Sequence, residues 1–305
     1  MTKKIIGVLV FSKKYDKTPI EKINSRFIEE IELAGYQAEI FYYDQFSVFF
    51  ERNKINLYYG NKKFSTQKII CIISQYYFLN AEFSTNMFIV KCLADSGIKV
   101  FNSLNSVLLA KNKRETLYKL SQADLPIIPT GINFSQFFLD QQLAHFGKNK
   151  IVAKANNGSM GYGVSLLNSS ISFISFMEFI GNIYQPSNIL IQPFIEVGGE
   201  DYRIFVVGNK VITAMKRKAK GIEFRANVSK GGIGSSVKIT KNMEKLALQA
   251  TKILGLDYSG VDIIKDKKGK LYIVEVNSNP GFKIETATNI NVVKEIIKHC
   301  IKKSK

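Results

Sequence analysis

Apolar residues first gather in a short unbroken run at 5–10 (Ile-Ile-Gly-Val-Leu-Val), which follows Lys3-Lys4 and gives way after Phe11 to Ser12-Lys13-Lys14. That is the pattern of a strand buried on both faces of a parallel sheet. After Pro19 the rhythm changes, with Ile20, Ile23, Phe27, Ile31 and Ala34 at helical spacing and Gly35 placed to end the helix. Strands are predicted over 38–43 and 68–74, a helix over 84–96 closed by Gly97, and a strand entered through Ile98–Phe101. Strand, helix, strand, twice over, predicts a small α/β layer around a parallel sheet. The stretch 44–67, rich in Phe, Tyr, Asn and Lys, reads as a hairpin or an irregular excursion.

From about 106 the texture differs. One amphipathic helix is predicted over 106–122, and Asp124-Leu-Pro-Ile-Ile-Pro-Thr130 breaks it into a connector. Strand-like runs follow at 150–154, 163–167, 188–192, 202–207, 210–216, 259–264 and 270–276, with helices near 171–181, 241–254 and 290–302. Tight turns such as Gly208-Asn209 and Asp266-Lys-Lys-Gly269 pair these strands closely, which predicts an antiparallel α+β unit.

Composition narrows the function. A chain of 305 residues suggests about two domains. Its 46% apolar and 22% charged residues exclude a disordered, collagenous or coiled-coil chain. The net charge of +18 predicts an acidic partner: a nucleotide, a nucleic acid, an anionic membrane or an acidic protein. Residues 186–305 hold 22 of the 43 basic residues and 11 of the 25 acidic ones, so the last third is expected to meet it. No apolar run reaches the roughly 18–20 residues that span a bilayer. The first apolar run loosely imitates a signal peptide, but Lys13 and Lys14 follow at once and no small-residue cleavage site appears. Cys71, Cys92 and Cys300 form no C-x-x-C pair, and His145 and His299 are poorly placed to join them. Zinc sites, disulfide frameworks and histidine-dependent nucleophiles therefore have little to work with, and a reducing, cytoplasmic setting fits. The chemistry must rest on carboxylates, amides, lysines and arginines.

Three constellations could carry it. In the hairpin 259–277, Asp262 interrupts an apolar strand, and Glu275 and Asn277 sit two apart on one face. If Asp266 pairs with Gly269, opposed residues sum to 535 and all three share a face. Their oxygens would suit Mg²⁺, because unpaired buried carboxylates need a cation; three solvated polar residues on an open sheet face are the plainer alternative. Next, Lys154-Ala-Asn-Asn-Gly158-Ser159-Met160-Gly161-Tyr-Gly163 joins two strands. It could fold over a triphosphate with Lys154 as a charge contact, or be a structural turn. Finally, the run from Lys210 to Lys230 should split Lys216 and Lys218 from Arg217 by strand alternation. Its lysines are expected to be solvated, whereas Arg217 and Arg225 are suited to forked pairing with phosphate or carboxylate. Phe224 alone is poor support for nucleic-acid binding.

In this order these residues, with Lys113, Gln192-Pro-Phe-Ile-Glu196, Asp201-Tyr-Arg, Phe224-Arg-Ala-Asn227, Gly231-Gly and Glu275-Val-Asn-Ser-Asn-Pro-Gly281, resemble the ATP-grasp carboxylate–amine ligases. The likeness is greatest to the RimK-type branch, whose members add glutamate or related amino acids to carboxylates. The resemblance implies a Rossmann-like N-terminal α/β domain over 1–104, an ATP-grasp small lobe over 105–187 and a large lobe over 188–305. It implies that Lys113, Lys154 and the loop Gly158, Ser159, Met160 and Gly161 hold ATP. Gln192, Pro193, Phe194, Ile195 and Glu196 would form the hinge at adenine, with Asp201 nearby. Arg217, Arg225 and Asn227 would hold phosphate and the reacting acyl group, and Asp262, Glu275 and Asn277 two Mg²⁺ ions, Mn²⁺ being able to substitute. Partners implied are ATP, an amino acid donor and an acceptor carboxylate, in a chain that could be a homo-oligomer. The basic charge favours an acidic protein or peptide acceptor; a small free acid, or a non-catalytic basic binder with a vestigial site, are the rivals. Two departures stand out. Pro193 replaces the usual Glu of the hinge, and the strand 68–74 runs into Ser74-Gln-Tyr-Tyr where relatives often carry Pro-Arg.

Overall fold

The computed structural model describes residues 3–10, 19–75, 83–132, 139–146, 150–156, 163–183, 188–220 and 232–305. Strand β1 (Ile5–Val10) is buried from Ile6 onward, as its unbroken apolar run requires. Helix α1 (Pro19–Leu33) leads to β2 (Gln37–Tyr42), with Gly35 turning the chain at φ 86°. A single 3-10 turn, Tyr43–Gln45, opens an antiparallel meander of β3 (Phe46–Glu51), β4 (Lys54–Tyr59) and β5 (Lys62–Lys63). Phe46, Val48, Leu57 and Tyr59 pack on Phe41 and Phe64, while Phe49 and Phe50 near the tip are exposed. Apolar residues on both faces explain why no clean period marks this stretch. β6 (Ile69–Ser74), α2 (Phe83–Asp95) and β7 (Val100–Phe101) complete a parallel sheet in the order β2-β1-β6-β7. α1 covers one face through Phe27 and Ile31, and α2 the other through Val90 and Leu93.

The helix expected over 106–122 is two helices, α3 (Leu104–Lys111) and α4 (Lys113–Gln122). Asn112 parts them because its side chain accepts the Glu115 N–H and caps α4 instead of continuing the helix. β8 (Gly131–Ile132), α5 (Leu139–Phe146), β9 (Ile151–Ala155), β10 (Val164–Leu167), α6 (Ser170–Ile183) and β11 (Ile189–Pro193) follow. Their strands form an antiparallel sheet in the order β10-β9-β11-β8, with Phe173 and Met177 of α6 in its core. The expected lobe boundary at 187/188 would part β11 from this sheet. β11 pairs with β9 from Ile189↔Ala155 to Pro193↔Ile151, so sheet membership extends through Pro193.

The last unit comprises β12 (Glu200–Val207), β13 (Lys210–Lys218), β14 (Ile233–Ser236), α7 (Lys241–Ile253), β15 (Tyr258–Lys265), β16 (Leu271–Asn277), α8 (Lys283–Thr288) and α9 (Val292–Ser304). Its antiparallel sheet runs β14-β13-β12-β15-β16. On one face Ile204, Val206, Val261 and Ile273 meet Leu246, Ala247 and Ala250 of α7. Ala110, Leu120 and Leu125 share this core, so α3 and α4 pack with the large lobe rather than the small one. The opposite face is divided. Phe205, Val207, Met215 and Tyr258 join α9 and the first sheet in a common core, and beside it stand the polar positions Asp201, Arg203, Arg217 and Asp262. Asn102 fixes the junction: its amide donates to the Tyr258 and Ser278 carbonyls and accepts the Asp257 and Tyr258 N–H groups. Among the described residues no helix is long and apolar enough to cross a membrane.

Candidate active site

The polar half of the divided face follows from strand register. Asp201 and Arg203 lie two apart on β12 and share a side; Arg217 of β13 stands opposite Asp201, and Asp262 of β15 opposite Arg203. Arg217 forks onto Asp201, Nε to Oδ1 and Nη2 to Oδ2, both at 2.6 Å, and Nη2 also reaches Asp262 Oδ2 at 3.0 Å. Arg203 forks onto Asp262 through Nε and, at 2.7 Å, through Nη2. Arg217 and Asp262 are each only 3% exposed. Burial alone would raise the Asp262 carboxyl, but Arg203 and Arg217 outweigh it and hold the group below its ordinary value. At Asp201 burial wins over Arg217 and the carboxyl is raised. Burial works against the Arg217 charge, and Asp262 and Asp201 more than restore it.

Gly260 makes room for this network. A Cβ there would lie 2.7 Å from Pro280 Cβ and 3.0 Å from Arg203 Cδ. Gly260→Ala is therefore expected to destabilise the protein by about 1–3 kcal/mol, read as a lower midpoint in urea unfolding.

The hairpin of β15 and β16 departs from the expected register. Lys265 faces Leu271 and Ile263 faces Ile273; the pairing then slips by one residue, so Asp262 faces Glu275 and Gly260 faces Asn277. The slip leaves Val274 unpaired and returns Asp262, Glu275 and Asn277 to a common face by a route the assumed sum of 535 does not contain. Asp262 is not an unpaired carboxylate, since it already holds two guanidinium groups, and only its remaining lone pairs are left for a cation. Nor is this an open, solvated sheet face, given the burial of Asp262.

Lysines approach Glu275 from outside the sheet. Lys113, at the start of α4, has Nζ 3.4 Å from Glu275 Oε1. Burial lowers Lys154 on β9 to about 8, with Glu275 drawing it up and Lys113 pressing it down. Lys111 is lowered likewise by burial within the field of Glu275 and Lys113. Lys113, Lys154, Gln192, Leu190, Val274 and Glu275 line one cleft between the two antiparallel sheets. The α4 N-terminus is tied to the small lobe, where the Arg114 N–H donates to Asn156 Oδ1 at 3.0 Å. In the hinge, Gln192 Nε2 donates to Thr130 Oγ1 at 2.8 Å, and its buried Oε1 has no partner among the described residues. Pro193 ends β11, and the Phe194 N–H returns to the Lys150 carbonyl.

The structure thus brings together Lys113, Lys154, Gln192, Asp201, Arg217, Asp262, Glu275 and Asn277 around one cleft and one sheet face. Gly158, Ser159, Met160, Gly161, Arg225 and Asn227 lie outside the described residues. Two residues were not singled out from sequence. Arg203 could have been found, since alternation from Asp201 places it on the same side; Lys111 has no comparable signal. Arg217, expected to hold substrate, has its Nε and Nη2 committed to aspartates. Lys216 stands on the other side of the strand with its Nζ 2.8 Å from Glu200, and so adds no charge to this face.

An oxygen-only donor set fits Mg²⁺. Asn277 Nδ2 donates to the Gly260 carbonyl, which leaves Oδ1 available, and Glu275 is only partly buried. Among the described residues no group of three acidic, histidine or cysteine side chains could hold a metal alone. The remaining ligands would come from phosphate and water.

Residues 108–300 match the RimK-like ATP-grasp domain. A probable alpha-L-glutamate ligase of Pseudomonas fluorescens (strain Pf-5) is 38% identical over 205 residues, 67% of either chain. The ATP-grasp ligase PsnB, solved with a minimal precursor, has TM-score 0.74 at 16% identity over 99% of both chains. The macrocyclase MdnC of Microcystis aeruginosa MRC, bound with precursor peptide MdnA, has TM-score 0.73 at 17% identity, covering 98% of this chain and 99% of that one. The fold is that of an ATP-dependent ligase of the two-lobed grasp type. This chain belongs to the RimK-like ATP-grasp family, carboxylate–amine ligases that use ATP and Mg²⁺.

Proposed function

We propose that the protein joins an amino acid, glutamate or one similar, through its amine to a carboxylate of an acidic protein or peptide. The acceptor carboxylate attacks the γ-phosphoryl group of ATP, forming an acyl phosphate and releasing ADP. The amine then displaces phosphate, and the amide bond forms with loss of a proton from nitrogen. The observation that carries this reading is the cleft where Lys113 and Lys154 face Glu275 beside Asp262. Its lysines offer positive charge to a polyphosphate, and its oxygens suit a divalent ion. Held by Asp262, Glu275 and Asn277, two Mg²⁺ ions would neutralise phosphate charge. Gln192 would meet adenine, its Oε1 accepting the exocyclic amine while Thr130 fixes the amide's orientation. Arg203 and Arg217 act as positioning residues that keep Asp262 ionised and aimed. Arg225 and Asn227 would serve the reacting acyl phosphate. The glutamate ligase relative and the precursor peptides of PsnB and MdnC support the two substrates.

A screen of ADP release tests this, with acidic proteins, glutamate-rich peptides and free acids as acceptors and a panel of amino acids, at low and high salt. Acidic macromolecules should give activity that falls steeply as salt rises. Salt-indifferent turnover confined to free acids would overturn the acceptor, and silence with every acid would overturn the ligase reading.

Lys154 gives a second test. Its ammonium discharges near pH 8, so ATP affinity measured by calorimetry is expected to fall as pH rises through about 8. Lys154→Arg, charged throughout, should flatten that profile; a wild-type affinity constant up to pH 9.5 would remove Lys154 from the phosphate site.

A further inference from the structure

Just beyond the apolar core that joins the first sheet to the large lobe lies a layer of buried amides. Cys71 and Ile73 of β6 belong to that core; Gln75, two residues further, continues their side of the sheet and is fully buried. Phe27 and Ile31 of α1 belong to it as well, and Asn24, one turn nearer the strands' C-terminal edge, is 5% exposed. Asn279 lies between Asn277 of the site and Phe282, whose ring meets Phe27 edge-on at 5.7 Å. Among the described residues, both polar side-chain atoms of Gln75, both of Asn24 and Oδ1 of Asn279 are buried without a hydrogen-bond partner. Each such group left unpaired costs about 1–3 kcal/mol, and native interiors keep few of them.

Their place in the topology explains them. From the neighbouring strands β1 and β6 the chain leaves in opposite directions, to β2 and to β7. The C-terminal ends of β1 and β6 therefore flank a switch point, where open α/β sheets bind ligands. Among the described residues the chemistry of the layer is neutral and two-sided, since each carboxamide offers N–H donors and a carbonyl acceptor. Arg26 of α1 is committed to Glu285 and brings no free charge. A second carboxylate would want a cation here, whereas carboxamides match another amide.

We propose that Gln75, Asn24 and Asn279 bind peptide-bond amides of the acceptor next to the carboxylate that is activated. The proposal rests on the ligase reading with a peptide acceptor and names what that acceptor must present. Acetylated triglutamate and free L-glutamate are the probes, titrated by calorimetry into the protein held with a non-hydrolysable ATP analogue and Mg²⁺. Wild type is expected to bind the tripeptide at least about tenfold more tightly than free glutamate. Gln75→Leu and Asn24→Leu should each remove most of that preference, leave ATP-analogue affinity unchanged, and match or exceed the wild-type melting temperature. Should Gln75→Leu not fold, Gln75→Met, closer in shape, takes its place. Equal binding of both probes by wild type, or an undiminished preference in the variants, would overturn the proposal. Because binding is read without turnover, failure to ligate the tripeptide counts against the proposed function alone.

Discussion

Glu275→Gln is expected to lower ATP-dependent amide formation by about 10³-fold or more while the protein stays folded. The two halves of this expectation have separate grounds. Glu275 is partly exposed, and its pairing with Lys113 at 3.4 Å is loose. Losing such a pair changes stability by only about 0–1 kcal/mol. Its charge, however, faces both Lys113 and Lys154, and with Asp262 and Asn277 it supplies the oxygens proposed for Mg²⁺. Phosphoryl transfer depends mainly on positioning and charge neutralisation, so an isosteric loss of one negative charge acts directly on the barrier. The variant should also release its Lys154 proton at lower pH, because Glu275 is the larger of the two carboxylate charges, with Asp262, that draw that group upward. ADP release, paired with thermal unfolding, checks both halves. Unimpaired release by a folded variant removes Glu275 from the active site.

The elements easiest to read in the sequence are those whose burial is simple. β1 and β6 sit in the middle of a sheet covered on both faces, so they appear as unbroken apolar runs. α9 is amphipathic and capped by Asn291, and its span differs from expectation by two residues at each end. Elements held by distant partners left less trace. β8 and β14 are short edge strands, while α8 begins just after Pro280-Gly281, where a turn is the natural reading. The site was legible as residue types and illegible as contacts. Alternation alone separates Lys216 from Arg217, as the structure does. Nothing local announces that Asp262 is neutralised by Arg203, because that pair depends on the register of β12 against β15. The slip beside Val274 belongs to the same class: turn chemistry suggested one register, and only the packed sheet decides it.

Removing the Arg217 guanidinium is expected to be the most damaging single change to stability outside the apolar cores. Arg217→Ala leaves Asp201 without its forked partner and takes from Asp262 one of its two cations. Breaking a buried pair by deleting one member typically costs about 3–5 kcal/mol. Arg217→Lys keeps the charge but cannot form the fork, so it should recover only part of the loss. Combining Arg217→Met with Asp201→Asn should be less destabilising than the sum of the two single changes, since the double variant buries no orphaned carboxylate at Asp201. The network also predicts acid behaviour. The folded-state pKa of Asp262 lies below its ordinary value, so the stability it contributes is present above that value and is lost as pH falls through the depressed one. In the Arg217→Ala variant this depression weakens, and the acid-unfolding midpoint should move to higher pH. Urea unfolding at neutral pH and an acid titration followed by circular dichroism measure the two effects. A variant as stable as wild type, with an unmoved acid midpoint, would show that the buried ions contribute nothing to holding this face together.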